Sequence, residues 1–498
     1  MQGLFRREEW FSNVRADILA GAVVGLALIP EAIAFSIIAG VDPKVGLYAS
    51  FIIAVITSFL GGRPAMITAA TGGTALLMTG LVNSHGLQYL LAATILAGVF
   101  QLIWNLMKIG NLAIFISRAI TIGFANALGI LIFKAQLPQI FDLPDDVVPW
   151  HVWAMIAGGL AIIYILPRFI TVVPSPLVAI VVITVVAQVF NINVPTVGDM
   201  GELPEALPMF ALPQVPATIE TLQIIFPTAF AISVVGALQC FLTANVVDDL
   251  TDTASDKNKE VKALGIGNIV SGFFGGMAGS AMIGQSVINV KSGGRTRLST
   301  LSAGLLLIFF LLILNQWVAQ IPMAVLVAVM IMVSIGTFNW SSIRFIKRVP
   351  RSETAVMLTT VIITIFTSNL ALGVVVGISL NAILFSRKLA DLVFVDTVLS
   401  PDGRERIYSV AGQIFFVSIN NFLKAFNYRE DIELVRIDLS NAHLWDQSAI
   451  AAIDKVVLNF RRNGVDVDLT GLNDASATLI DRLAVADTQE SLQDLGKK

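Results

Sequence analysis

Ala69-Ala70-Thr71-Gly72-Gly73-Thr74 and Gly275-Gly276-Met277-Ala278-Gly279-Ser280-Ala281 each cut a run of membrane-grade hydrophobicity. Glycine has no side chain to hold a helix together and samples many backbone conformations, so both runs are predicted to break there. The apolar pieces after the two breaks, Gly72–Ser84 and Ile283–Ser292, are shorter than the ~20 helical residues a bilayer requires. Matched broken helices in the two halves of a hydrophobic chain mark a binding site near the membrane midplane, at the interface of two repeats.

Outward from these breaks, the rest of the chain reads as a membrane protein. Of its 498 residues 56% are hydrophobic and 13% are charged, against roughly 25% charged in soluble domains. Fourteen segments are predicted. The first half holds Asp17–Ile38, Lys44–Leu60, the broken Pro64–Ser84, Leu87–Met107, Leu112–Leu137, Trp150–Phe169 and Ser175–Phe190. A Pro-rich polar stretch, Asn191–Glu220, separates the halves. The second half holds Leu222–Val247, Lys259–Phe274, the broken Gly275–Ser292, Leu298–Gln320, Pro322–Trp340, Glu353–Asn369 and Leu372–Lys388. The break falls in the third segment of each half, and an odd number of segments per repeat makes the repeats inverted. The predicted membrane domain is 1–390, with repeats 12–190 and 222–390 joined by the linker 191–221.

Charge gives a separate reading of topology. With Arg6, Arg7 and Arg15 inside, the same side collects Arg63, Lys108, Arg168, Lys257, Lys259, Lys262, Lys291, Arg295, Arg297, Arg344, Lys347, Arg348, Arg351, Arg387 and Lys388. The other side collects Asp42, Asp142, Asp145, Asp146, Asp199, Glu202, Glu205 and Glu220, with Lys44 and Lys134 as its basic residues. This is the positive-inside bias, and it predicts a cytoplasmic N-terminus. Met1–Phe11 is polar and no cleavage site follows Ile18–Ile38, so the first helix is read as retained. Beyond Lys388 the composition becomes charged. Strands over Ile407–Ser418, Leu434–Leu439 and Val465–Leu469 interleave with helices over Ile419–Phe426, Gln447–Arg462 and Asp474–Leu483, which predicts a small cytoplasmic α/β domain over 391–498.

Ile29-Pro30-Glu31-Ala32-Ile33-Ala34-Phe35-Ser36, continuing through Gly46-Leu47-Tyr48-Ala49-Ser50, closely resembles the signature of the sulfate permease family, the bacterial relatives of solute carrier family 26. Gly61-Gly62-Arg63-Pro64, Leu242-Thr243, Asp248-Asp249-Leu250-Thr251 and Asn289-Val290-Lys291-Ser292-Gly293-Gly294-Arg295 extend the resemblance. Ile437-Asp438-Leu439-Ser440 and Asp446-Gln447-Ser448-Ala449 resemble a STAS domain. The resemblance implies core and gate domains moving against each other, a homodimer, and coupled or exchange transport of anions without a bound cofactor, H⁺ or Na⁺ being the possible coupling ion.

The residues at the breaks suit that chemistry. Two helix N-termini facing one cavity each offer unpaired N–H groups and about half a positive charge, and such an end binds an anion without a basic side chain. Neither break contains Lys or Arg. The predicted substrate contacts are Thr71, Gly72, Gly73, Ala281, Met282, Ile283, Phe35 and Gln239. Thr71 supplies a hydroxyl, and Met282 and Ile283 make the opposing wall apolar. Gln239 and Thr243, four apart on one helix face, match the family's coupling position. Many relatives carry a carboxylate where this chain has Gln239, which leaves Glu31 as the candidate coupling acid, since intramembrane carboxylates are costly and functional by default.

Other features carry less chemistry. The lone Cys240 excludes a disulfide framework. Asp248, Asp249, Asp252 and Asp256 read as a solvated turn beside Lys257 and Lys259, and His85, His151 and His443 form no ligand pattern. No phosphate-binding Gly loop with a following Lys occurs, so neither ATP-driven pumping nor nucleic-acid binding is expected, and the chain is not read as an enzyme. Gly110, Gly123, Gly158, Gly159, Gly373 and Gly377 read as helix-packing positions, and Asp446 as an N-cap. An uncoupled anion channel, a nucleobase permease of the same architecture and a membrane sensor signalling through its STAS domain remain as alternative functions.

Overall fold

The backbone of a chain in lipid must satisfy its own hydrogen bonds, which leaves the helix as the default element. The computed structural model describes residues 7–111, 117–142, 147–169, 174–390 and 393–471. Arg6, Asp145, Asp146, the first residues of the segment begun at Leu112, and the helix expected over Asp474–Leu483 lie outside them. Two compact units emerge, Met1–Ile378 and Ser379–Lys498.

The first unit is helical. Its elements are α1 (Arg7–Phe11), α2 (Val14–Ala39), α3 (Pro43–Leu60), β1 (Thr68–Ala69), α4 (Gly72–His85), α5 (Leu87–Leu106), α6 (Arg118–Phe141), α7 (Pro149–Ile165) and α8 (Ser175–Val189), followed by an extended linker. Then come α9 (Ile219–Thr251), α10 (Lys257–Phe273), β2 (Ser280–Ala281), α11 (Ile283–Lys291), α12 (Arg297–Ala319), α13 (Met323–Thr337), α14 (Trp340–Phe345), α15 (Arg351–Thr367) and the start of α16 (Leu370–Ala390). Among the described residues nine helices are long and apolar enough to cross a membrane. At 1.5 Å per residue, α4 and α11 reach only ~21 and ~14 Å.

Packing sorts these helices into two groups. In one, α2, α3, α4, α5, α9, α10, α11 and α12 contact one another; in the other, α6 packs on α13 and α15, and α7 and α8 pack on each other and on α13. Glycines permit the closest approaches. A Cβ on Gly265 of α10 would stand 2.8 Å from the Gly98 carbonyl oxygen of α5, and one on Gly123 of α6 would stand 2.9 Å from the Met357 carbonyl oxygen of α15. The groups meet where α13 touches α2 and α6 touches α4.

In the acidic turn Asp249, Asp252 and Asp256 are exposed, as read from the sequence, and Asp248 departs from that reading. Asp248 sits in the last turn of α9 and pairs with the buried Arg63, Nη1 to Oδ1 3.4 Å, while Asp256 caps α10 by accepting from the Lys259 N–H at 3.0 Å. Arg63 also donates to the Val247 carbonyl at 3.2 Å. The guanidinium is thus held against the C-terminal end of α9, where it also donates to the Thr253 carbonyl and hydroxyl at 3.3 and 2.8 Å. Asp17 is likewise buried, and it accepts from the Arg295 and Thr296 N–H groups at 2.8 and 3.1 Å, capping α12 from α2.

The second unit carries a four-stranded sheet in the order β3 (Phe394–Leu399), β4 (Glu405–Ile414), β5 (Leu434–Leu444), β6 (Asp466–Thr470). The β3–β4 pair is antiparallel and the other two are parallel, as helical crossovers require. Helices α17 (Ile419–Lys424) and α18 (Gln447–Arg462) bury Phe422, Ile453 and Phe460 with Tyr408, Val435 and Ile437 of the strands. Asp446 caps α18, accepting from the Ala449 N–H at 2.9 Å.

Candidate functional site

The two breaks meet. Strands β1 and β2 pair antiparallel, Thr68 opposite Ala281 and Ala69 opposite Ser280, the sense that two oppositely oriented repeats produce. Met282 extends the pairing by donating its N–H to the Ile67 carbonyl at 2.9 Å. Non-helical backbone at membrane depth persists only where protein satisfies it, and here side chains do so. Ser286 Oγ accepts from the Ile67 N–H at 2.9 Å, Asn289 Nδ2 donates to the Ala65 carbonyl at 2.8 Å, and Thr300 Oγ1 donates to the Met66 carbonyl at 3.0 Å. On the other strand, Asn268 Oδ1 accepts from the Gly279 N–H at 2.9 Å, and Ser280 Oγ donates to the Gly236 carbonyl at 2.9 Å.

From this ribbon α4 and α11 start, and their first residues line one cavity of about 370 Å³ at the seam of the two helix groups. Glu31 and Phe35 of α2, Thr71 and Gly72, Gln239 of α9, and Ala281 through Gln285 form one wall. Thr121, Phe124, Leu128 and Ile132 of α6 and Met332, Gly336 and Thr337 of α13 form the other. The α11 N-terminus has no side-chain cap, and among the described residues the N–H groups of Ile283, Gly284 and Gln285 have no acceptor. Neither do those of Gly72 and Gly73 at the tip of α4. Among the described residues no Lys or Arg lines the cavity, and its one ionisable side chain is Glu31. The space is walled by carbon, charged by helix ends and free of fixed cations.

Most of the residues singled out from the sequence converge here. Thr71 caps α4, accepting weakly from the Thr74 N–H at 3.4 Å, and donates its hydroxyl to Gln239 Oε1 at 3.2 Å. Its proton therefore already has an acceptor, and serving an anion requires it to turn from Gln239. Gly72 lies under Phe35 and Ile132, whose ring and methyl atoms a Cβ would meet at 2.9 and 3.1 Å. Gly73 sits behind the lining, against the Gln239 amide. Thr243 is fully buried one turn past Gln239 and stays out of the cavity lining, its hydroxyl without a partner among the described residues. Glu31 Oε1 accepts from Gln285 Nε2 at 2.9 Å, joining α2 to the first turn of α11.

Residues 14–360 match the model of the sulfate permease family, and residues 397–495 match the STAS domain. The chain belongs to the sulfate permease family. It is 55% identical over 478 residues to YbaR of Bacillus subtilis (strain 168), a protein named as a sulfate transporter, covering 96% of this chain and 98% of YbaR. The solved transmembrane domain of a cyanobacterial bicarbonate transporter, BicA, superposes with a TM-score of 0.64 at 26% identity, covering 74% of this chain and 98% of that one. The murine Solute Carrier 26 family member A9 anion transporter shares the fold, with a TM-score of 0.79 at 17% identity over 96% of this chain and 88% of that one. A multi-pass membrane protein of a transporter family is thereby established.

Within that family fold, sequence reasoning missed Gln285 and the second wall. Gln285 had a readable signal, an amide two residues into a short apolar piece that begins at a break. The α6 and α13 residues had none, because they are mostly apolar side chains on mostly apolar helices, where neither Thr121 nor Thr337 stands out. Thr74 was also missed; its hydroxyl ties the α4 tip to the Ala278 carbonyl at 3.1 Å.

Proposed function

We propose that this chain is a secondary active transporter of a small anion, held between the N-terminal tips of α4 and α11. The single observation that carries the reading is the shared cavity onto which the unpartnered N–H groups of Gly72, Ile283, Gly284 and Gln285 open. Helix ends attract negative charge, and a site built from them alone is weak enough to release its cargo. Sulfate, bicarbonate and a C4-dicarboxylate such as fumarate are the candidate substrates. YbaR is named for sulfate and BicA for bicarbonate, and the apolar Met282 and Ile283 leave room for carbon.

Alternating access in this reading is elevator-like, the α2–α5 and α9–α12 group moving with the anion against the α6–α8 and α13–α16 group. The cavity takes the first half of α6 and the last turns of α13, the ends next to the basic connections. It is thus the inward-open half of the cycle for a chain with fourteen spans, a cytoplasmic N-terminus and a cytoplasmic STAS domain in a bacterial inner membrane. The assembly in this reading is a homodimer.

Glu31 supplies the coupling. Two like charges about 8 Å apart repel by roughly 2 kcal/mol at an effective dielectric near 20, so an ionised Glu31 in the cavity wall opposes a bound anion and taking up a proton removes that repulsion. H⁺ is therefore the favoured coupling ion, with Na⁺ as the alternative. Gln239 has no charge to contribute. The test is uptake of labelled sulfate, bicarbonate and fumarate into proteoliposomes under imposed H⁺ or Na⁺ gradients. Concentrative uptake driven by the proton gradient, with pH dependence lost in Glu31→Gln, is the expected result. Mere equilibration of an anion would make the protein a channel, and no flux would refute transport.

A further inference from the structure

A second cavity of about 420 Å³ continues the first along the same three helices. On α2 the lining passes from Glu31 and Phe35 to Ile37 and Ile38; on α4 it passes from Thr71 and Gly72 to Leu76 and Thr79. On α6 it passes from Phe124, Leu128 and Ile132 to Leu131, Lys134 and Ala135. Between the two lie Phe35 and Ile132, the atoms nearest to the bare face of Gly72. Phe35 and Gly72 belong to one helix group and Ile132 to the other, so the partition is two apolar side chains meeting across the seam that must slide. Further on, Pro138 and Gln139 line both this cavity and a recess of about 520 Å³ bounded by Asn193, Val194 and Pro195 of the linker.

Among the described residues Lys134 is the one charged residue that lines the second cavity. The residue is exposed, and among the described residues no carboxylate lies within ion-pair distance of it. The recess beyond carries Asp142 and Asp199. An anion coming from the linker face therefore meets its first unpaired positive charge at Lys134, one thin apolar partition away from the helix tips. We propose that the second cavity is the closed half of the anion's path and that Lys134 is the receiving site for a small oxyanion on that side. A lysine is a compact, hydrated point charge on a flexible stem, suited to drawing an anion in and passing it on.

This inference rests on the anion-transport reading above, and the experiment separates the two. Full-length protein is reconstituted, and initial rates are measured with labelled sulfate, bicarbonate or fumarate, whichever wild type transports, supplied first from the linker face and then from the opposite face. Lys134→Gln is expected to raise KM about tenfold from the linker face, well beyond any change in kcat, with a smaller effect from the other face. Lys134→Arg keeps the charge and is expected to stay within about twofold of wild type. In Lys134→Cys, where Cys240 is the only native cysteine and is buried, a cationic thiol reagent should restore KM and the anion should slow labelling. Equal KM values for Lys134→Gln and wild type, or labelling unaffected by the anion, would overturn the role of Lys134 and leave transport standing. A wild-type protein that moves no anion overturns both.

Discussion

Gly73→Ala tests whether the tip of α4 and Gln239 act as one unit. A Cβ at this position would stand 2.6 Å from Gln239 Nε2, 3.1 Å from its Cδ and 3.2 Å from its Oε1. Ordinary contact needs about 3.5–4 Å, so the amide must retreat by roughly 1 Å. The bond from Thr71 Oγ1 to Gln239 Oε1 is already 3.2 Å long, and that retreat breaks it, a loss of ~1 kcal/mol. Alanine in a helical turn recovers up to ~1 kcal/mol over glycine, and Gly73 has no left-handed backbone angle to defend. The two effects cancel in overall stability. They do not cancel in the cavity, where the displaced amide alters the anion's surroundings, and KM for uptake should rise about five- to tenfold. Gln239→Ala removes the group that the new methyl strikes. The double variant should therefore match Gln239→Ala alone, a coupling of ~1 kcal/mol in a double-mutant cycle. Uptake kinetics in proteoliposomes give the cycle, and melting in detergent controls for folding. A Gly73→Ala penalty that persists undiminished beside Gln239→Ala would refute the reasoning.

Three other substitutions have outcomes set by the geometry. Gln285→Leu removes the donor on Glu31 and should destabilise the fold by about 1–3 kcal/mol; an unchanged melting temperature would count against it. Gly265→Ala places a methyl 2.8 Å from the Gly98 carbonyl oxygen between α5 and α10 and should cost roughly 1–3 kcal/mol, read as a lowered melting temperature. In the STAS domain the Ser440 hydroxyl and N–H hold the Asp438 carboxyl below the usual carboxylate range. Its contribution to stability is therefore present above the ordinary carboxylate pKa of about 3.9 and is lost as pH falls through the depressed value. Ser440→Ala should move the Asp438 titration upward, as followed by carbon-detected NMR, and an unmoved titration would rule out the hydroxyl as its cause.

The parts of this molecule that the sequence made legible are those written in local chemistry. Gly72-Gly73 and Gly275-Gly276 declare a break on the spot, and the shortness of the apolar piece after each break declares that it cannot span. The N-cap role of Asp446 is equally local. The boundaries of α18 at Gln447 and Arg462 were readable because water lies on one side of that helix and a core on the other. In the membrane that contrast disappears. Lipid and protein interior are equally apolar, so the hydrophobic period of α6 or α13 cannot say which residues face a cavity, and Thr121, Ile132 and Gly336 stay silent until the helices are packed. Strand β3 escaped for a related reason. It is an edge strand, largely exposed, and Phe394-Val395-Asp396-Thr397-Val398-Leu399 lacks alternation. Asp17 and Arg63 read in the sequence as flanking charges, yet each is buried and satisfies a helix end far along the chain. Such caps are fixed by tertiary approach and have no spacing to reveal them. The helix tips behave in the opposite way. Their N–H groups belong to a backbone that every sequence possesses, and the sequence only has to stop the helix in the right two places. That is why the two breaks were readable from their glycines, and why the proposed cargo has to be found by flux.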